Sequence, residues 1–482
     1  MPTRSRSFLT PALTGLLFLA GCGGGGSDGG VPPAPPASAE WVIHWNHVAI
    51  DTSGLDHAPI KEGEDRVFGH QLGPGRASRA MAIVQVAVFE ALNAITGRYE
   101  SYTGLPQAPA DTSIKAAIAQ AAHDTLVELY PSHAAQFAEQ LVDDLAKVED
   151  PEGQKEAGID LGRHAALSIL ELRANDGSNH PEPRVGVDYI PEDGPGIWRQ
   201  DPISKHPLAL GARWAEVKPF VLASASQFRI APPPAVDSAA YAAAYEEVFL
   251  LGGDGLTTPT ERTADETSAA IYWAYDGLPS LCAPPRLYNQ IVVQLAEEQG
   301  LDIVDTARLL ALVNVAMADA GIAAWESKYY YKVARPITVI RAGDDDGNAE
   351  TAGDANYTPL GAPASNSTGA NFTPPFPAYP SGHAAFGGAI FQMLRDVFGT
   401  DDIQFTFVSD EYNGKTVDNQ GNVRELHPRS FANLTQAEDE NGQSRIHLGI
   451  HWSFDKDEGI LQGRRIADYV FQNLYSPKSR PG

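Results

Sequence analysis

Residues 302–330, DIVDTARLLALVNVAMADAGIAAWESKYY, carry apolar side chains on most faces of a helix. A helix that is apolar all round needs neighbours on every side. SRAMAIVQVAVFEALNAI (78–95) is almost wholly apolar and makes the same demand. The chain answers with more helices. SIKAAIAQAAHDTLVELY (113–130) has apolar residues at helical spacing and stops at Pro131. HAAQFAEQLVDDLAKV and GIDLGRHAALSILELRAND repeat the pattern, so four segments predict one helical bundle. YAAAYEEVFLLG, ADETSAAIYWAYDG, PPRLYNQIVVQLAEEQ, the 302–330 segment, GHAAFGGAIFQMLRDVFG (382–399) and DEGILQGRRIADYVFQNLY (457–475) predict a second. Alternating stretches long enough for strands are few, and no repeat of about 20–50 residues is visible.

The expected fold is therefore all-α, with an N-terminal bundle in 41–235 and a C-terminal bundle in 236–482. Residues 175–235 lose periodicity and are rich in Pro, Gly and Trp, as in NHPEPRVGVDYIPEDGPGIW. They predict a long irregular crossover that ends the first bundle; such loops are functional or laid over a core. Apolar residues make up 43% and charged residues 20%, the balance of a globular protein with a real core. The 35 basic and 61 acidic residues leave a net charge of −26, which repels nucleic acid and anionic lipid. No nucleic-acid partner is expected.

The N-terminus reads as a targeting segment. Arg4 and Arg6 precede an apolar run from Leu13 to Ala20, too short to span a bilayer. The run ends in Leu19-Ala20-Gly21-Cys22, which resembles a bacterial lipobox. That resemblance implies a lipoprotein signal peptide over 1–21, lipidation of Cys22, export, and a cell-envelope protein that meets the membrane only through its N-terminal lipid. Residues 22–40 are Gly/Pro-rich and read as a tether. Gly23, not aspartate, follows the cysteine, which permits outer-membrane anchoring. Cys282 is the other cysteine, so a lipidated Cys22 leaves no intrachain disulfide. A lone cysteine is most often a small buried apolar group.

Three stretches of the second bundle carry chemistry. KYYYKVARP holds Lys328 and Arg335-Pro336, YPSGHAAFGG holds Pro380-Ser381-Gly382-His383, and SRIHLGIHWSFD holds Ser444, Arg445, His447, Gly449, His451 and Asp455. On a helix, His447 and His451 would share a face, where zinc could bind. Three nearby cations argue against zinc, and a third ligand is missing. Arg335 and Arg445 each offer planar two-pronged contacts to an oxyanion, and Ser381 adds a hydroxyl. The Gly382 amide is expected at a helix N-terminus, a natural anion site. His451 offers a neutral imidazole nitrogen, His383 an acid or base, and Asp455 can orient His451. His447 is left to packing or a water contact. The acidic loop at 342–354 lacks EF-hand register and reads as solvated.

The joint spacing K-x6-R-P, P-S-G-H and S-R-x3-G-x-H-x3-D resembles the superfamily that joins vanadium-dependent haloperoxidases to type-2 phosphatidic acid phosphatases and bacterial acid phosphatases. LGGDGLTTPTERT, YWAYDGLPSLCAPPRLYNQIV, DAGIAAWESK, LGAPASN and FTPPFPAYPSGHAAFGGAIFQM resemble the fungal vanadium chloroperoxidases more closely, over roughly residues 235–455. The resemblance implies that Lys328, Arg335, Ser381, Gly382 and Arg445 hold vanadate oxygens. It makes His451 the protein ligand to vanadium and His383 the acid–base histidine. It pairs Asp276 with the cage arginines and lines a halide site with Trp325 and Phe376, which could equally be core aromatics. The implied activity is oxidation of bromide, iodide and chloride by hydrogen peroxide. In it Lys328 polarises a peroxide oxygen, halide attacks, and His383 handles the proton. Hypohalous acid would then halogenate small organic acceptors. Two other readings stand beside it: phosphomonoester hydrolysis through a phosphohistidine at His451, and an idle surface-anchored binding protein. Departures from the fungal pattern are the lipobox, a shorter span between the second and third motifs, and His447 where an aromatic is common.

Overall fold

The computed structural model describes residues 38–343 and 346–478. Its first half carries α1 (Glu40–Asp56), α2 (Gly73–Thr96), α3 (Ile114–Leu129), α4 (Ala134–Leu145) and α5 (Glu152–Arg173). The second half carries α6 (Ala239–Leu251), α7 (Ala264–Tyr272), α8 (Pro284–Glu298), α9 (Ile303–Tyr331), α10 (Pro336–Ile340), α11 (Gly382–Phe398), α12 (Leu434–His447) and α13 (Ser453–Asn473). Strands β1 (Phe405–Phe407) and β2 (Arg429–Phe431) form one short antiparallel ladder, with Phe405 opposite Phe431. The all-α expectation holds. Cys22, the signal segment and residues 22–37 of the tether lie outside the described residues.

Helix α9 is the pillar its sequence demands. Asp302 caps it by accepting the Val304 and Asp305 amides, and the left-handed Lys332 (φ 54°) ends it. Every residue from Leu309 to Lys328 is buried. The neighbours come from both halves: α2 from the first, and α8, α11 and α13 from the second. Helices α2 and α9 are each long and apolar enough to cross a bilayer, yet their most apolar windows are 89% and 94% buried within this fold. One core cluster draws on α1, α2, α3, α8, α9 and α11, so α9 is shared by both bundles.

Among the described residues the 175–235 crossover contains no α-helix, only a 3₁₀ turn at Trp214–Glu216. It is fixed to α9 by polar bonds. Buried Asp319 accepts the amides of Phe220, Val221 and Leu222 at 2.6, 2.8 and 3.0 Å. The Leu210 carbonyl accepts from Trp325 Nε1 at 3.1 Å and from the Tyr329 hydroxyl at 2.9 Å. The loop is thus laid over the core beside the motif residues of α9.

The helical condition set for His447 and His451 is not met. His447 and His451 do not share a helix face, because α12 ends at His447 and His451 lies in the turn before α13. The cause is Gly449, at φ +71°. A Cβ there would sit 2.4 Å from the Gly252 carbonyl oxygen, so only glycine admits this close, left-handed turn.

Candidate active site

Three chain reversals bring the motifs together. Lys328 sits in the last turns of α9, and the Lys332 reversal places Arg335 as the N-cap of α10. Ser381 is the N-cap of α11: its hydroxyl accepts the Ala384 amide at 3.4 Å, and its own amide donates to the Asp455 carbonyl at 2.9 Å. Gly382 therefore opens α11, with an amide that has no intrahelical acceptor. Arg445 lies in the last turn of α12, and Asp455 in the first turn of α13.

Arg335 donates Nε to the Phe376 carbonyl at 2.9 Å, and Nη1 to the Ile450 carbonyl and to His451 Nε2, both at 2.8 Å. Arg445 gives Nη2 to both oxygens of Asp276 at 2.8 Å. That leaves Arg335 Nη2, Arg445 Nε and Arg445 Nη1 buried with no hydrogen-bond partner among the described residues. Unpaired buried guanidinium donors are costly, and an oxyanion is the group that satisfies them. Lys328, Arg335 and Arg445 face two carboxylates, Asp276 and Asp455, all with buried side chains. With Lys328 protonated and both histidines neutral, three cations face two carboxylates, and that net positive charge also calls for an anion.

The histidine tautomers follow from their partners. Asp455 Oδ2 lies 2.8 Å from His451 Nδ1 and also accepts the Trp452 amide at 3.0 Å. Nδ1 thus carries the proton, and the single Nε2 lone pair accepts from Arg335 Nη1, a bond that a ligand bound at Nε2 would replace. Burial, then Arg335, Lys328 and Arg445, hold the His451 pKa well below the usual histidine range. Burial pushes the Asp455 carboxyl up to about 7, against the Trp452 amide and the cations. His383 points Nε2 at the Ala274 carbonyl, 2.5 Å away, so that nitrogen is the donor. Its Nδ1 is then the basic site, 4.0 Å from Asp276 Oδ1. Burial and Arg445 keep His383 neutral by lowering its pKa.

Trp325 and Phe376 pack at 4.9 Å between ring centroids, tilted by 57°. Lys328 Nζ lies 5.5 and 5.1 Å from those centroids, and the Arg335 guanidinium 5.0 Å from Phe376. The two aromatics are thus a wall of the cation cluster as well as members of the core. Lys328 adds a feature its motif did not suggest. It donates to the carbonyls of Pro377 and Ala378 at 2.9 Å, and to that of Pro380. Its three N–H bonds thereby tie down the segment leading to Ser381, and in this arrangement it serves the cage through its charge.

Other contributors carry no motif. The Tyr288 hydroxyl and Asn441 Nδ2 both donate to the His383 carbonyl at 3.0 Å, fixing the first turn of α11. Ala274 supplies only a buried backbone oxygen, left without a helical donor because α7 stops at Tyr272 and Tyr275 turns left-handed (φ 42°). His447 stands apart, with Nε2 3.8 Å from Glu266 Oε1 beside Arg429 in a surface cleft. Cys282 is buried, as expected, but its sulfur lies 2.9 Å from the Ser53 hydroxyl.

Residues 308–477 match the family described as the VCPO second helical-bundle domain. Vanadium chloroperoxidase of Curvularia inaequalis is 31% identical over 501 aligned residues, covering 87% of this chain and 79% of that protein. A solved structure described as the first bacterial vanadium-dependent iodoperoxidase superposes with a TM-score of 0.71 at 25% identity, covering 93% of this chain and 99% of that one. A holo-type bacterial vanadium-dependent chloroperoxidase shares the fold, with a TM-score of 0.63 at 18% identity over 86% of this chain and 95% of its own. The motif residues meet in one buried anion cage, and the sequence likeness runs through nearly the whole length of the chain; it belongs to the vanadium-dependent haloperoxidase family.

Proposed function

We propose that this enzyme uses hydrogen peroxide to oxidise bromide and iodide readily, and chloride detectably, to hypohalous acid that halogenates small organic acceptors. Its family makes it a haloperoxidase with vanadate as cofactor. The observation that carries the reading is the set of three guanidinium nitrogens, buried and unpartnered among the described residues, beside His451 Nε2, whose bond from Arg335 a bound anion's metal would replace. Arg335 Nη2, Arg445 Nε, Arg445 Nη1, the Ser381 hydroxyl and the Gly382 amide would hold the oxygens of vanadate, and His451 Nε2 its metal. Bound vanadate supplies a Lewis acid that activates peroxide without changing oxidation state. His383 Nδ1 takes and returns the proton, with Asp276 beside it. Lys328 lends positive charge to the reacting oxygen. Trp325 and Phe376 keep water from the halide and strengthen the local electrostatics. Relatives named for iodide and for chloride support a broad halide range.

Phosphate is similar to vanadate in shape and charge, so the cage geometry suits phosphomonoester hydrolysis as well. Bromide oxidation and phosphate-ester hydrolysis measured on one purified sample, with and without vanadate, separate the two. Oxidation should rise from near zero with vanadate. Efficient hydrolysis with no vanadate-dependent oxidation would reverse the conclusion. Export and lipid anchoring belong to the same proposal and rest on the Leu19–Cys22 motif and the tether. Native mass spectrometry should find a lipid-modified Cys22 at the mature N-terminus, and Cys22→Ser should release the protein from membranes.

A further inference from the structure

The loop between α7 and α8 has two faces. One presents the Ala274 carbonyl and Asp276 to His383 and Arg445. The other presents Pro279, Ser280 and Leu281 to a separate cleft of about 610 Å³, a volume suited to a small organic molecule. Asp276 and Pro279 are three residues apart, so their Cα atoms are at most roughly 11 Å apart. The cleft wall is firm. Asn366 Nδ2 donates to the Pro279 carbonyl at 2.9 Å, and the Asp410 amide donates to the Tyr275 hydroxyl at 2.6 Å.

Leu55, Pro59 and Ile60 also line the cleft, the last 49% exposed. The lining also contains Lys61, Arg66, Arg286 and Lys415 against Glu64 and Asp410. Arg66 is paired with Glu64, and Arg286 with Asp410 and with Asp51 nearby. Lys61 and Lys415 are both exposed, and among the described residues neither ammonium makes an ion pair or hydrogen bond, although Glu64 attracts Lys61 through space. On a chain of net charge −26, a cleft of mixed apolar and polar lining in which Lys61, Arg66, Arg286 and Lys415 outnumber Glu64 and Asp410 is a local exception.

We propose that this cleft binds the organic acceptor, and that the acceptor is an aromatic carboxylate. Its ring lies against Ile60, Pro59 and Leu281, and its carboxylate meets Lys61 and Lys415. The proposal rests on the haloperoxidase reading for the oxidant. Hypohalous acid released nearby gives its halogen to a ring carbon: the carbon–halogen bond forms, the oxygen–halogen bond breaks, and the ring proton leaves with hydroxide as water.

Calorimetric titration of the vanadate-loaded protein, without peroxide, tests this with 4-hydroxybenzoate and its neutral analogue 4-hydroxybenzamide. Vanadate keeps the probe carboxylate out of the cage, and no turnover is needed. The benzoate should bind roughly fivefold tighter or better, a preference the size of two exposed ion pairs that added salt should erode. The double variant Lys61→Ala/Lys415→Ala should abolish the preference while leaving bromide oxidation unchanged. Equal binding of the two probes, no binding, or a preference that survives in the double variant would overturn the proposal. Loss of the haloperoxidase reading would instead appear as absent bromide oxidation with probe binding intact.

Discussion

Replacing Arg445 by lysine separates charge from donor geometry in the cage. Arg445 is 1% exposed and spends only Nη2 on Asp276, leaving Nε and Nη1 for an anion. Lysine keeps the positive charge and can keep a bond to Asp276, but it cannot hold the planar pair of donors. A hydrogen bond to a charged group contributes about 1.5–3 kcal/mol. Losing one should weaken vanadate binding roughly 10- to 150-fold, at about 1.4 kcal/mol per decade. Phosphate, as a competitor, should weaken in parallel. The folded state should suffer less, because Asp276 keeps a cation. Arg445→Met is the contrast: it leaves Asp276 buried without its partner, a loss of about 3–5 kcal/mol of stability. Equilibrium dialysis with vanadate and thermal unfolding of both variants supply the numbers. Unchanged vanadate affinity in Arg445→Lys would refute the claim that the unpartnered guanidinium nitrogens hold the anion.

Gly211→Ala should disturb the halide wall from outside the cage. Its φ is +74°, and a Cβ would lie 2.3 Å from Trp325 Cδ1 and Nε1; overpacking of this kind costs about 1–3 kcal/mol, visible as a lower Tm and reduced halide oxidation. Phe376→His should weaken chloride turnover more than bromide turnover, since an imidazole admits water beside Arg335; steady-state rates for both halides decide it. Asp396 and Asp468 share Gln392 Nε2, each at 3.0 Å, and burial, then Asp468, push Asp396 up to about 6. Between about pH 4 and pH 6 Asp396 therefore keeps its proton more in the native state than in the unfolded chain, and its contribution to stability falls as pH rises through that window. Asp468→Asn should flatten this fall and raise Tm at pH 7, read by unfolding at several pH values.

The cage residues were legible because their chemistry is written in side chains: guanidinium, imidazole and hydroxyl groups at fixed spacing. The bundle helices were legible where burial is apolar, as in α2 and α9. Helix α12 was not, because LTQAEDENGQSRIH is polar and shows no apolar stripe. It is buried through polar pairs instead. Glu438 is matched by Arg395 and Arg464, and Asn441 by Tyr288 and the His383 carbonyl. The turn after it escaped for a related reason: Gly449 reads as an ordinary residue until Gly252 is packed against it. Backbone contributors left no trace in the sequence. The Ala274 oxygen that sets the His383 tautomer, and the carbonyls that take the Lys328 protons, depend on chain reversals at Tyr275 and before Ser381 that no side-chain pattern encodes.

Vanadium X-ray absorption on the vanadate-loaded protein, with His451→Ala as the comparison, tests directly whether the buried cluster is a vanadate site with His451 Nε2 as the protein ligand. One imidazole nitrogen should appear among the vanadium's neighbours in the wild type and vanish in the variant, together with vanadate-dependent halide oxidation. An oxygen-only shell in the wild type, or an unchanged spectrum and activity in His451→Ala, would contradict it.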